Sequence, residues 1–128
     1  MDWVNKHLQI VPINTFIDPI FPVENAIITH AHADHAKPGH NNVLATKHTI
    51  EIMKIRYGEN CANNFQELSF NSPLNVNGVK VTFFPAGHIL GSAQVLLEYR
   101  KDKINFTGDF KITKDDTCEN FRPVTCDT

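Results

Sequence analysis

The sequence predicts an α/β domain: short strands in a mixed, mostly antiparallel arrangement, with one flanking helix. Three observations predict it. Short apolar runs rich in β-branched and aromatic residues recur along the chain, broken by Gly, Pro, Asn and Asp. One stretch alone carries apolar residues at helical spacing between a capping residue and a glycine. One apolar run ends directly on a histidine cluster, THAHADHAKPGH, at residues 29–40.

In chain order, residues 8–11 and 15–18 read as strands of a first meander. Residues 26–29 form a short apolar strand that leads into the cluster, and residues 43–45 form another. Lys47–Tyr57 reads as a helix, with Thr46 placed to cap its N-terminus and Gly58 placed for a left-handed residue after its end. Ile50, Met53 and Tyr57 share one face, widened by Ile52 and Ile55, and that stripe is core rather than a binding groove. Asn77-Gly78 between Leu74–Val76 and residues 79–84 is a two-residue hairpin signal. Ala93–Tyr99 and residues 103–107 form a second hairpin about residues 100–102. From Lys114 the sequence is polar and irregular.

The length of 128 residues fits one domain with a moderate core. No run of about 18 apolar residues suggests a membrane span. The opening MDWVNKHLQIVPINTF lacks the basic and apolar regions of a secretory signal. A formal charge of −2 gives no basic footprint, which argues against a dedicated nucleic-acid-binding module. It does not exclude a nuclease, because bound metal adds positive charge where phosphates would sit. Three cysteines, Cys61, Cys118 and Cys126, with no Cys-x-x-Cys, suit a reducing cytoplasm better than a disulfide framework.

Seven histidines and eight aspartates in this length would give His-x-His-x-Asp-His by chance roughly once per thousand such chains. Neutral imidazoles and carboxylates are ligands for zinc and similar divalent ions. In a tight loop, His30 and His32 can point the same way, while Asp34 and His35 lie one step on. One pair can serve one ion and the next pair its neighbour. His88 follows the strand at residues 79–84, and Asp109, in Thr107-Gly-Asp-Phe110, follows the strand at residues 103–107. Asp109 is suited to bridge two ions. Three strand ends converging on one sheet edge would thus assemble a site from distant sequence. Two ions about 3.5–4 Å apart would hold a hydroxide between them, the chemistry of metal-assisted hydrolysis. Asp18, before Pro19, is either a turn residue or an acceptor that fixes a ligand histidine. His7, His40 and His48 read as surface or helix-flank residues.

At these residues the sequence resembles the metallo-β-lactamase superfamily, whose signature is His-x-His-x-Asp-His followed by a distant His and a distant Asp. PAGHILGSAQ at residues 85–94 is similar to the nuclease branch called β-CASP. The combination IDP, AIITHAHADHAKPGH, LAT, PAGHILGSAQV, TGDFK and FRPVTCDT resembles the bacterial ligase-associated DNA exonucleases, also described as mRNA 3′-end-processing-like exonucleases. The likeness runs from about residue 15 to residue 128.

The resemblance implies the N-terminal half of an αββα sandwich. It implies that His30, His32 and His88 hold one ion, that Asp34 and His35 hold the other, and that Asp109 bridges. Asp34 and Asp109 are the catalytic carboxylates, with Asp34 able to relay a proton, and Asp18 supports the site. The implied cofactors are two divalent ions, zinc or else manganese. The implied substrate is DNA or RNA, with a functional link to DNA ligase or helicase and no membrane association. Family members continue past residue 128 into further ligands, the β-CASP subdomain and the second half of the sandwich. The expectation is therefore of a domain over residues 1–128 that is incomplete at its C-terminus, with a weak second metal site. Such a half sandwich would expose one apolar sheet face and would be unstable, homodimeric or dependent on its missing half. Two other readings stand beside the nuclease: a general metallo-hydrolase of thioesters, esters or lactams, and a catalytically inactive metal-binding fragment.

Overall fold

The computed structural model describes residues 3–32, 36–86 and 91–106. Among the described residues, nine strands and one α-helix run in the order β1 (Gln9–Ile10), β2 (Thr15–Ile17), β3 (Asn25–Ile27), β4 (Asn42–Ala45), α1 (Lys47–Tyr57), β5 (Asn64–Glu67), β6 (Leu74–Val76), β7 (Val79–Pro85), β8 (Ala93–Tyr99) and β9 (Asp102–Phe106). They form two sheets. The first has the order β1-β2-β3-β4-β5, the second β6-β7-β8-β9. In the first, β1 is antiparallel to β2, and β2 to β5 are parallel. The second is antiparallel throughout.

The sheets pack face to face. Ile10, Ile17 and Ile27 of the first meet Val79, Val81, Phe83, Val95, Leu97 and Ile104 of the second in one buried cluster. The other face of the first sheet, with Ala26, Ile28, Val43 and Ala45, packs on Ile50 and Met53 of α1 and on Cys61 and Ala62. A sheet covered on both faces loses its polar alternation, and Ala26-Ile27-Ile28 is accordingly buried throughout. The layers are helix, mixed sheet and antiparallel sheet.

The helix begins and ends where the sequence places it. Thr46 is extended at φ −69, ψ 159, and its hydroxyl accepts from the Thr49 N–H at 3.5 Å. Gly58 takes φ 96 but ψ 162, so it leaves the helix by a glycine-type extended conformation rather than the expected left-handed one. Ile50 and Met53 are buried as expected, but Ile55 is 84% exposed, because it points away from the sheet. Asn77 and Gly78 both have positive φ, 46 and 91, and join the paired residues Val76 and Val79 in the expected hairpin.

Two features depart from expectation. The first strand is shorter than the sequence suggests: it ends at Ile10, and Val11–Ile13 is a 3-10 turn, with proline near its start. β5 is absent from the sequence-based assignment because Asn-Phe-Gln-Glu is polar and exposed at the sheet edge. What holds β5 is an amide ladder. Asn64 donates to Asn42 at 2.9 Å, Asn42 donates to Asn25 at 2.9 Å, and Asn25 donates to the Asn14 carbonyl at 3.1 Å.

The expected bare apolar sheet face is not found among the described residues. The outer face of the second sheet carries Lys80, Thr82, Phe84, Gln94, Leu96 and Glu98; Thr82, Gln94 and Leu96 are buried and Phe84 is half-buried. The large exposed apolar side chains described are Leu8, Val11, Ile20, Phe21 and Ile55, none of them on that sheet. No helix among the described residues is long and apolar enough to cross a membrane.

His40 is also a correction. It is not on the surface but 1% exposed, because the chain entering β4 lies along the chain entering β3. Its Nδ1 accepts from the Val23 N–H at 3.2 Å, and its Nε2 has no hydrogen-bond partner among the described residues. Burial holds its pKa below the ordinary histidine value. The unfolded chain therefore takes up this proton first as pH falls. The stabilisation is complete above the ordinary histidine pKa and declines on acidification, by at most about 1.4 kcal/mol per pH unit. Urea denaturation between pH 7.5 and 5 is expected to show this loss, and a His40→Gln variant a flatter profile. Equal slopes for the two proteins would contradict it.

Candidate metal centre

The described part of the site forms where parallel strands end, the usual place for a binding crevice in such a sheet. Asp18 follows β2 directly, at φ 46, a left-handed conformation that aspartate tolerates. Its backbone N–H bonds to the Ile27 carbonyl at 2.9 Å, which fixes it beside the end of β3. Its carboxylate then takes two bonds from Thr29. Oδ1 accepts the Thr29 N–H at 2.8 Å, and Oδ2 accepts the Thr29 hydroxyl at 2.6 Å. The sequence left Asp18 open between turn residue and acceptor. It sits at the turn, and its carboxylate accepts from Thr29.

The Thr29 oxygen lies 2.9 Å from His30 Nδ1. Thr29 is 2% and His30 1% exposed. The His30 and His32 ring centres are 5.0 Å apart with their planes at 77°. The carbonyl between them, that of Ala31, accepts from the Arg56 guanidinium near the end of α1. The histidine loop is thus held by the sheet on one side and by the helix on the other. Asp34, His35, His88 and Asp109 lie outside the described residues, and among the described residues no three His, Cys, Asp or Glu side chains are grouped for a metal ion.

The segments that carry the distant pair start from the same rim. The Ala93 N–H bonds to the Thr29 carbonyl at 2.8 Å, joining the start of β8 to the end of β3. Pro85 at the end of β7 pairs with Ala93, and the Ala86 N–H bonds to the Ser92 carbonyl at 3.2 Å. Phe106 at the end of β9 pairs with Val95. The strand ends at Thr29, Pro85 and Phe106 therefore lie together. The expectation of a single sheet edge needs correcting: the rim is shared by two sheets.

The sequence reading missed Thr29, Arg56 and the clamp on Gly91. The Gly91 carbonyl accepts from the hydroxyls of Thr46 at 2.6 Å and Thr49 at 3.3 Å. A threonine before the first histidine and threonines in the first turn of the helix were the available signals. Gly91 has φ +83, and a Cβ there would stand 2.8 Å from both Thr46 Oγ1 and His48 Cβ.

No protein-family model matches the chain. It is 31% identical over 113 residues to a probable DNA ligase of Opitutus terrae, an alignment that covers 88% of this chain and 11% of that protein. It is 40% identical over 53 residues to endoribonuclease YSH1 of Yarrowia lipolytica, covering 41% of this chain and 6% of that one. It is 30% identical to an RNase J-like protein of Methanocaldococcus jannaschii, covering 68% of this chain and 25% of that one. Zinc-bound PqqB from Methylobacterium extorquens superposes with a TM-score of 0.48 at 12% identity, over 64% of this chain and 37% of that one. The chain spans a quarter or less of the length of these curated relatives. It belongs to the β-CASP nuclease branch of the metallo-β-lactamase superfamily.

The glycine clamp yields a direct test. Gly91→Ala is expected to destabilise the chain by about 1–3 kcal/mol, combining strain at positive φ with overpacking. Gly78→Ala, also at positive φ but with open space around it, should cost only the backbone part, about 1 kcal/mol. Denaturant midpoints of equal depression in the two variants would show that the contact with Thr46 and His48 carries no weight.

Proposed function

We propose that this chain is a metal-dependent nuclease of the exonuclease type, or its N-terminal catalytic part, acting on DNA or RNA. The observation that carries the reading is the disposition of His30. Asp18 holds Thr29, and Thr29 meets His30 Nδ1, which leaves Nε2 as the nitrogen that faces away from the relay. Two imidazoles on one tetrahedral ion, each nitrogen about 2.0–2.1 Å from it, place their ring centres about 5 Å apart. The 5.0 Å separation of His30 and His32 fits that requirement.

In this reading His30, His32 and His88 would hold one divalent ion, Asp34 and His35 would hold a second, and Asp109 would serve both. Zinc suits this imidazole and carboxylate set, and manganese is the alternative. Bound divalent ions supply Lewis acidity and a nucleophile at neutral pH. The chain's own residues orient the ligands: Asp18 and Thr29 hold the His30 ring, Arg56 holds the loop backbone, and Asp34 moves a proton during hydrolysis. A functional link to DNA ligation is part of the same proposal. A cytoplasmic setting suits the free, buried Cys61.

The test uses the purified chain with zinc or manganese. Substrates are end-labelled single- and double-stranded DNA, RNA and a chromogenic lactam. Expected is release of nucleotides from a nucleic-acid end, abolished by chelation and lowered by about two orders of magnitude or more in His32→Ala. Lactam cleavage without nucleic-acid cleavage would move the protein to the general metallo-hydrolases. Zinc binding with no hydrolysis of any substrate would make it a metal-binding fragment.

A further inference from the structure

We infer that Asp18 and Thr29 form a directional hydrogen-bond relay that sets the tautomer of His30, with Thr29 as the positioning residue in contact with the ring. The inference rests on the metal-centre reading for its purpose but not for its geometry. An ionised carboxylate only accepts hydrogen bonds. Asp18 Oδ2 lies 2.6 Å from Thr29 Oγ1, so the single hydroxyl proton of Thr29 points at Asp18. Toward His30 the threonine oxygen then has only lone pairs to offer. At 2.9 Å, His30 Nδ1 must therefore carry the ring proton and donate it. A neutral imidazole protonated on Nδ1 has its lone pair on Nε2, the form required of an Nε2 metal ligand.

The relay is not free to reverse. Thr29 is 2% and His30 1% exposed and Asp18 is half-buried, so the hydroxyl at the centre of the relay is shielded from water. The other carboxylate oxygen, Oδ1, is committed to the Thr29 N–H at 2.8 Å, which fixes the orientation of the whole carboxylate. This second bond makes the polarity testable. In Asp18→Asn the backbone N–H still requires an acceptor, so the amide oxygen takes the Oδ1 place and the amide nitrogen faces the hydroxyl. The nitrogen donates, the hydroxyl turns its proton toward His30, and Nδ1 becomes an acceptor. The ring proton then moves to Nε2, where it blocks a metal. One isosteric change, remote from the ring, is expected to invert the tautomer.

Long-range proton–nitrogen NMR on the metal-free chain near pH 8 reads the tautomer directly, with circular dichroism reporting the fold. The unaltered chain is expected to show a protonated Nδ1 and a bare Nε2 on His30. Thr29→Ser should keep that pattern, Thr29→Val should give a mixture, and Asp18→Asn should give a protonated Nε2. Zinc affinity, measured by competition with a chromophoric chelator, should fall about 10–100-fold in Thr29→Val and Asp18→Asn and stay within a few-fold in Thr29→Ser. A protonated Nε2 in the unaltered chain would overturn the relay and needs no variant to be seen. So would a tautomer unchanged by both Thr29→Val and Asp18→Asn. An unaltered chain with the expected tautomer but no zinc affinity would sustain the relay and sink the metal-centre reading instead.

Discussion

Thr29 is the residue on which the site depends, because four hydrogen bonds meet there. Its N–H and hydroxyl go to Asp18, its oxygen meets His30, and its carbonyl receives the Ala93 N–H from the other sheet. The first two tie the end of β3 to the end of β2. The last ties the parallel sheet to the antiparallel one at the rim from which residues 87–90 depart. Thr29 is itself buried, so a partner it loses leaves an unsatisfied group worth about 1–3 kcal/mol. The histidine loop is therefore built on backbone that is over-determined at its root, which suits a site that must hold ligands in one geometry.

Much of the fold was legible because local signals agreed with tertiary packing. The helix carries its own cap and its own apolar stripe, and the Asn77-Gly78 hairpin carries its own turn chemistry. What was illegible depended on neighbours. Ile55 belongs to the helical apolar pattern, yet it overshoots the sheet and faces solvent. His40 follows Pro38-Gly39 and reads as a loop residue, but the adjoining strand entry covers it. β5 has no apolar period, and its only mark is a repeated dipeptide: Asn63-Asn64 echoes Asn41-Asn42, and both echo Glu24-Asn25.

For the candidate site, the composition of the cluster suggested the chemistry, and the strand ends pointed to the rim. The polarity of its support was not legible. Asp18 and Thr29 are 11 positions apart, and only the parallel pairing of β2 and β3 brings them together. That pairing also separates this chain from a meander. In an antiparallel hairpin, the end of one strand faces the start of the next. In a parallel pair, both strands deliver their last residues to the same place, and a carboxylate can meet a ligand's neighbour without any turn between them.

The repeated dipeptides explain how the rim is set from the opposite end of the sheet. Asn25, Asn42 and Asn64 stand in register across β3, β4 and β5, and their amides bond in sequence. Side chains four positions on lie on the same face of a strand, about 13 Å further along. Four positions after Asn25 comes Thr29, and four after Asn42 comes Thr46. Both threonines grip the same piece of chain, Thr29 through its carbonyl to Ala93 and Thr46 through its hydroxyl to Gly91. A slip of one residue between β3 and β4 would turn one threonine to the wrong face and release that piece. The amide ladder opposes such a slip, because a displaced asparagine would lose its bond to the next. The polar ends of the strands thus act as the gauge for the opposite ends, and Gly91 and Ala93 are held by the same register that places His30.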